Sequence, residues 1–171
     1  MKCILTLMLL TLSSLCFAQN TIILNSVSKI DSLSLVNTIK AFIKAVEKQD
    51  NNTIKALCLK NVDCEMCIKN EGFDHPIEDA FVNIDTFINY LFDSLRISNI
   101  CKTVATEIPS ITSTSFAPAD GNHPKFIKLQ KGVFFTEYEL SYLISNSENS
   151  YYFTFIKTER KFKLWKVSIA P

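Results

Sequence analysis

Glycine is scarce in this chain: three residues among 171. Loops that bring a backbone close to a phosphate use several glycines together, so a glycine-rich ligand loop is excluded. Histidine is scarcer still. His75 and His123 are the only two, and each stands directly before a proline. The residue before proline is biased to extended or turn backbone, so both read as loop residues rather than as ligands or bases. No charge of one sign prevails, with 18 basic against 17 acidic side chains and no basic block. That removes the electrostatic footprint of a nucleic-acid binder and of a protein held on an anionic membrane surface. There is no internal repeat, no low-complexity tract and no catalytic signature.

Hydrophobic residues make up 47% of the chain, enough for a real core and too many for disorder. The length fits one domain. At the start, Lys2 precedes an apolar run from Ile4 to Leu12, and Ser13 to Ala18 ends on a small residue. This pattern is that of a secretory signal peptide cleaved after Ala18, and the run is too short for an ordinary membrane span. Cys16 raises a lipoprotein alternative, against which stands the bulky Leu15 where lipidation needs a small residue. Removing residues 1–18 takes away Lys2 and no acid, leaving 17 basic and 17 acidic residues. The expected organisation is a signal peptide at 1–18, a flexible lead-in at 19–31 and a single domain at 32–171. The expected location is outside the cytoplasm, periplasmic or extracellular, with no transmembrane segment.

The C-terminal third carries the clearest pattern. From Phe134 to Ser145 residues alternate: Thr136, Tyr138, Leu140, Tyr142 and Ile144 on one face, Phe135, Glu137, Glu139, Ser141 and Leu143 on the other. Period-two alternation of aromatic and β-branched residues predicts a half-buried antiparallel strand. Asn and Ser over residues 145–150 predict a turn. A second strand follows over 151–156, a polar turn over 158–161, and a third strand over 162–169 with Trp165, Val167 and Ile169 on one face. Such a meander needs a layer over its apolar face.

Upstream segments supply that layer. Leu35, Ile39, Phe42, Ile43 and Val46 recur at helical spacing after a cap at Asp31 or Ser32, ending near Gln49. Asp50 caps a shorter helix carrying Ile54, Leu57 and Cys58. Asn51, Asn52 and Thr53 match a glycosylation sequon and read here as capping chemistry. A third helix starts at Asp85 and holds Phe87, Ile88, Tyr90, Leu91, Phe92 and Leu95; Ile77, Ala80, Phe81 and Ile84 extend its period upstream. Its apolar residues cover more than one face, which predicts burial on both sides or a pocket beside it. Residues 100–108 read as a strand, 109–124 as a long proline-containing loop of the lid or binding kind, and 126–129 as a short strand. The fold class is α+β, with N-terminal helices packed on a curved antiparallel sheet.

Three sets of residues carry candidate chemistry. Cys58, Cys64, Cys67 and Cys101 remain after signal removal, and an even count in an exported chain favours disulfides; the pairing read here is Cys64–Cys67 with Cys58–Cys101. A zinc site from these thiols with His75 has only one C-x-x-C to build on, so no metal and no cofactor is assigned. Glu137 and Glu139 share a strand face. They are either a carboxylate pair in a pocket, one working as acid or base, or part of a solvated face; the solvated face is the reading that burial rules favour. Tyr90, Tyr138, Tyr142 and Trp165 either line an apolar pocket with polar tips or pack as ordinary core.

The chain resembles the NTF2-like superfamily of α+β cones, also called SnoaL-like or cystatin-like. The resemblance rests on the helix and break LVNTIKAFIKAVEKQDNNTIKALC, the helix DTFINYLFDSL and the closing strand FKLWKVSI, and covers roughly Leu33 to Ile169. It implies helices wrapped by a sheet with a cavity at the open end. Enzymatic members place an Asp, a Tyr or an Asp–His pair inside the cone; no such pair stands at a matching position here. Fold-level likeness leaves function open. The leading expectation is a binding module for a small apolar ligand or a protein partner. One alternative is a pocket enzyme of lyase, isomerase or hydrolase type using Glu137 or Glu139. Another is a homodimer formed through the outer sheet face, where Phe135 and Leu143 lie.

Overall fold

The structure, a computed structural model, describes residues 22–24, 27–64, 66–67, 80–95, 99–116, 135–143, 149–158 and 161–170. By its contacts the chain divides into two units. The larger comprises Ile23–Thr114 and Thr136–Pro171; the smaller comprises Met1–Ile22 and Ser115–Phe135. Only strand ends of the smaller unit fall among the described residues. The signal-peptide segment 1–18, the two histidines and the strand expected at 126–129 lie outside them.

Strand β1 (Ile22–Leu24) falls within the expected lead-in. Helix α1 (Lys29–Glu47) starts earlier than a cap at Asp31 or Ser32 would place it, because Ser28 takes that role and accepts the Asp31 N–H at 3.1 Å. Its buried stripe is the one read from the sequence: Leu35, Ile39, Phe42, Ile43 and Val46. Gln49 ends the helix in the left-handed region at φ 55°. Its N–H donates to the Val46 carbonyl and the Asp50 N–H to the Ala45 carbonyl, a Schellman closure with glutamine where glycine is usual. Asp50 then caps α2 (Asn51–Leu57) at once, accepting the Thr53 N–H at 3.0 Å and the Thr53 hydroxyl at 2.6 Å.

Strand β2 (Cys58–Cys64) follows without a loop, so Cys58 opens a strand instead of closing the helix. Strand β3 (Phe81–Asn83) leads into α3 (Ile84–Tyr90), which continues as a π-helical turn at Leu91–Leu95. Asn83 is the cap here, accepting from the Asp85 and Thr86 N–H groups at 3.0 and 2.9 Å. Phe81 is therefore strand and not an upstream extension of the helix. Residues 100–106, expected as strand, form α4 (Ile100–Thr106). Ile100, Cys101, Thr103 and Val104 are buried at helical spacing, and the Thr103 and Thr106 hydroxyls donate back to the carbonyls of Asn99 and Lys102. The loop expected from Pro109 instead begins with strand β4 (Ser110–Phe116). Strands β5 (Phe135–Leu143), β6 (Ser150–Thr158) and β7 (Lys161–Ala170) form the meander read from the sequence.

The strands run in the order β1-β4-β5-β6-β7-β2-β3. Pairs β5–β6, β6–β7 and β2–β3 are antiparallel, and β2 lies parallel to β7, which makes the sheet mixed. The helices cover one face. Tyr142, Leu140, Phe153, Phe155, Leu164 and Val167 from the sheet meet Leu35, Phe42, Phe87 and Leu91 from the helices in one buried cluster. Phe42 sits 6.4 Å from both Phe87 and Phe153, and Tyr142 6.3 Å from Phe153, ring centre to ring centre. This is the hydrophobic layer that holds the sheet.

Trp165 departs from its expected face. Thr154 pairs with Lys166 but Phe155 pairs with Leu164, so Trp165 is an extra residue in β7. A bulge breaks the alternation of side chains. Leu164 and Val167 therefore both reach the helix-side core, while Trp165 turns to the other face and stacks on Phe81 at 6.2 Å and 18°.

Candidate functional site

The face of the sheet turned away from the helices carries a recess of about 70 Å³ lined by Thr112, Thr114, Glu137, Glu139 and Thr154. Three adjacent strands build it. In β4, Thr112 and Thr114 alternate with the buried Ser113. In β5, the pleat that sends Tyr138, Leu140 and Tyr142 toward the core sends Glu137 and Glu139 the other way. In β6, Thr154 pairs with Glu139 and faces the same side.

Register extends the polar row beyond the recess. Glu139 lies beside Thr154, Thr154 beside Lys166, Lys166 beside Asp63 and Asp63 beside Phe81. The Lys166 Nζ is 3.4 Å from Asp63 Oδ2. Apolar residues share this face: Ile156, which pairs with Glu137, is 1% exposed and Trp165 is 7% exposed. Burial here is the reason the carboxylates are perturbed. Taking Glu137 out of water pushes its pKa up to about 7; Lys166 opposes the rise, and Glu139 and Asp63 add to it. Glu139 is also raised by burial, again against the pull of Lys166.

The structure separates the four aromatic candidates. Tyr142 is in the core, with its hydroxyl buried and unpartnered among the described residues and its pKa pushed up to about 12 by burial. Tyr90 and Tyr138 pack against that same core, both raised by burial. Trp165 is across the sheet from them. No shared aromatic pocket forms from this set. The glutamates are together, as their spacing required, on a face that is half-buried rather than open to solvent.

Cys64 and Cys67 form a disulfide. The pairing of Cys58 with Cys101 does not occur: both are free, buried thiols. Cys58 opens β2 beside Leu164 of β7, whereas Cys101 is in the first turn of α4, its Sγ 3.9 Å from the Leu95 carbonyl oxygen. Burial pushes both thiols up, the environment of inert structural cysteines.

Among the described residues no group of three or more His, Cys, Asp or Glu side chains gathers as a metal site, and no helix is long and apolar enough to cross a membrane. Sequence reasoning missed Thr112, Thr114, Thr154, Asp63 and Lys166. The alternation Thr112-Ser113-Thr114 inside the segment read as loop was the available signal for the first two; the others depend on strand register. No protein-family model, no curated protein and no solved structure matches the chain.

Proposed function

We propose that this chain is an exported α+β binding module of the NTF2-like type, and that it holds a small polar ligand on the sheet face turned away from its helices. One observation carries this: a recess that gathers two carboxylates and three threonines on that face, while the three tyrosines expected to line an apolar pocket pack with the helix-side core and Trp165 stacks on Phe81. A half-buried carboxylate raised to about 7 costs folding free energy. Polar groups held at such a cost are more common at working sites than elsewhere. Export is supported by the apolar N-terminal run and by the Cys64–Cys67 disulfide, a bond that persists in oxidising compartments. The NTF2-like reading is supported by helices packed on one face of a sheet closed by a C-terminal meander.

The test is a nuclear magnetic resonance screen of the mature chain against a panel of polar and apolar fragments. Amide shifts confined to Thr112, Glu137, Glu139 and Thr154 are expected for polar fragments. A panel that shifts only residues of the helix side, or nothing, removes the reading.

A second reading uses the same residues for acid–base catalysis. Glu137, raised to about 7, is poised to exchange a proton near neutral pH. A pocket enzyme would show turnover whose pH profile has a limb near 7 that Glu137→Gln abolishes; a substrate screen without turnover discards it.

A further inference from the structure

We propose that Lys166 is a proton-governed latch on this face of the sheet: it lies on Asp63 while Glu137 is protonated, and crosses Thr154 to Glu137 and Glu139 when Glu137 ionises. Strand register sets the track. Glu139, Thr154, Lys166 and Asp63 stand side by side in β5, β6, β7 and β2. Lys166 therefore has Asp63 one strand away and Glu139 two strands away, about 5 and 10 Å between backbones. The flexible four-carbon stem of a lysine spans either gap.

The hold of Asp63 on Lys166 is loose. Nζ stands 3.4 Å from Oδ2, beyond the usual reach of a charge-assisted hydrogen bond, whereas Lys157–Asp31 and Lys55–Asp85 close at 2.7 Å. Both glutamates feel Lys166, which pulls their carboxyls down against the rise that burial causes. The ammonium group stands between two attractors and is locked onto neither.

Among the described residues, the charged groups around Glu137 are Glu139 on its own strand, Lys163 and Lys166 on β7 and Asp63 on β2. Strands β4 and β6 present Thr112, Thr114, Thr154 and Ile156, none of them charged. Lys163, beside Ile156 by register, donates to the Ala56 carbonyl in α2 and is engaged there. Lys157 is on the helix side, over the Phe162 ring and paired with Asp31. With Glu137 protonated, Lys166 has one anion near, Asp63, and one farther off, Glu139. The nearer wins because attraction falls with distance. Ionising Glu137 puts two anions on the far side, and their repulsion for each other adds to the pull. Burial pushes Glu137 up to about 7, so the change falls at neutral pH. In the crossed position the ammonium group lies against the recess that Glu137, Glu139 and Thr154 line. The latch thereby regulates the site of the binding reading, and rests on that reading for this consequence alone.

The experiment follows the protein by nuclear magnetic resonance from about pH 5 to about pH 9, on either side of the Glu137 transition. It reads the Glu137 carboxyl carbon shift and the Overhauser cross-peaks between the Lys166 ε-methylene and Glu139 γ-methylene protons. The cross-peaks should grow with the same midpoint as the carboxyl shift. Glu137→Gln should abolish that growth and leave Lys166 on Asp63 throughout. Lys166→Met should raise the Glu137 midpoint by about one unit, the effect of losing a nearby opposite charge. Asp63→Asn should bring the cross-peaks in at low pH, since the near anion is gone. Melting curves on each variant separate a lost contact from a lost fold. Cross-peaks of constant intensity, or growth that survives in Glu137→Gln, overturn the latch. These signals come from the protein's own side chains, so their failure leaves the binding reading to its fragment screen. A screen in which no fragment binds leaves a moving Lys166 in place and removes only its effect on a ligand.

Discussion

Glu137 shows how a single side chain sets a pH dependence. Its carboxyl has the ordinary value of about 4.5 when unfolded, and burial pushes it up to about 7 in the folded chain. The folded state thus holds the proton more tightly, and protonation favours folding. This contribution is fully present below about 4.5 and is lost as pH rises through about 7. The shift is worth about 3 kcal/mol at face value, and about 1–2 kcal/mol once partial solvent contact is allowed for. Glu137→Gln, a mimic of the protonated form, is therefore expected to stabilise the protein by about 1–2 kcal/mol at pH 8 and to change little at pH 4. Urea denaturation at the two pH values measures this; a glutamine variant that is less stable at pH 8 contradicts it. On the other side of the sheet the logic is packing. Phe42 touches both Phe87 and Phe153, so Phe42→Ala should cost about 3–5 kcal/mol by the same assay.

Elements show where local pattern suffices and where it fails. Helix α1 and the meander β5–β6–β7 were legible because each repeats its own period over many residues: Leu35, Ile39, Phe42 and Val46 in one, Tyr138, Leu140 and Tyr142 in the other. Helix α4 was not, because Ile100, Thr103, Val104 and Thr106 are β-branched and look like strand; the back-bonding of two threonine hydroxyls to the helix backbone is visible only in three dimensions. Strand β4 was hidden by the prolines around it. The bulge at Trp165 has no sequence mark at all, because it depends on the register of β6 against β7. Two of the five residues lining the recess were thus readable, Glu137 and Glu139 by alternation, and the threonines around them were not. Two tests belong at this scale. Asn83→Ala removes the acceptor for two N–H groups at the start of α3 and should cost about 1 kcal/mol in urea midpoint terms. Phe81→Ala uncovers the only tryptophan, so the emission of Trp165 should shift to longer wavelength; an unchanged spectrum would place the indole elsewhere.

For the whole molecule, the cysteines give a count that a thiol reagent can read. The native chain without residues 1–18 should not react, since Cys58 and Cys101 are buried and Cys64 and Cys67 are joined. Unfolding without reductant should release two thiols, and unfolding with reductant four. Reaction of the native chain would place Cys58 or Cys101 within reach of solvent. A homodimer closed over the recess is also testable at this scale. Leu143, on the same face, is 66% exposed, and a monomer by light scattering at high concentration removes that arrangement.

The parallel pairing of β2 with β7 bears on how the chain comes into being. Cys58 finds its place beside Leu164, and Asp63 beside Lys166, so β2 waits for a strand that lies far along the chain. Joining segments roughly a hundred residues apart carries a loop-closure cost that local contacts cannot repay early, and topologies of this kind fold slowly. During synthesis β2 emerges long before β7, and the middle of the sheet stays open until β7 arrives to receive it.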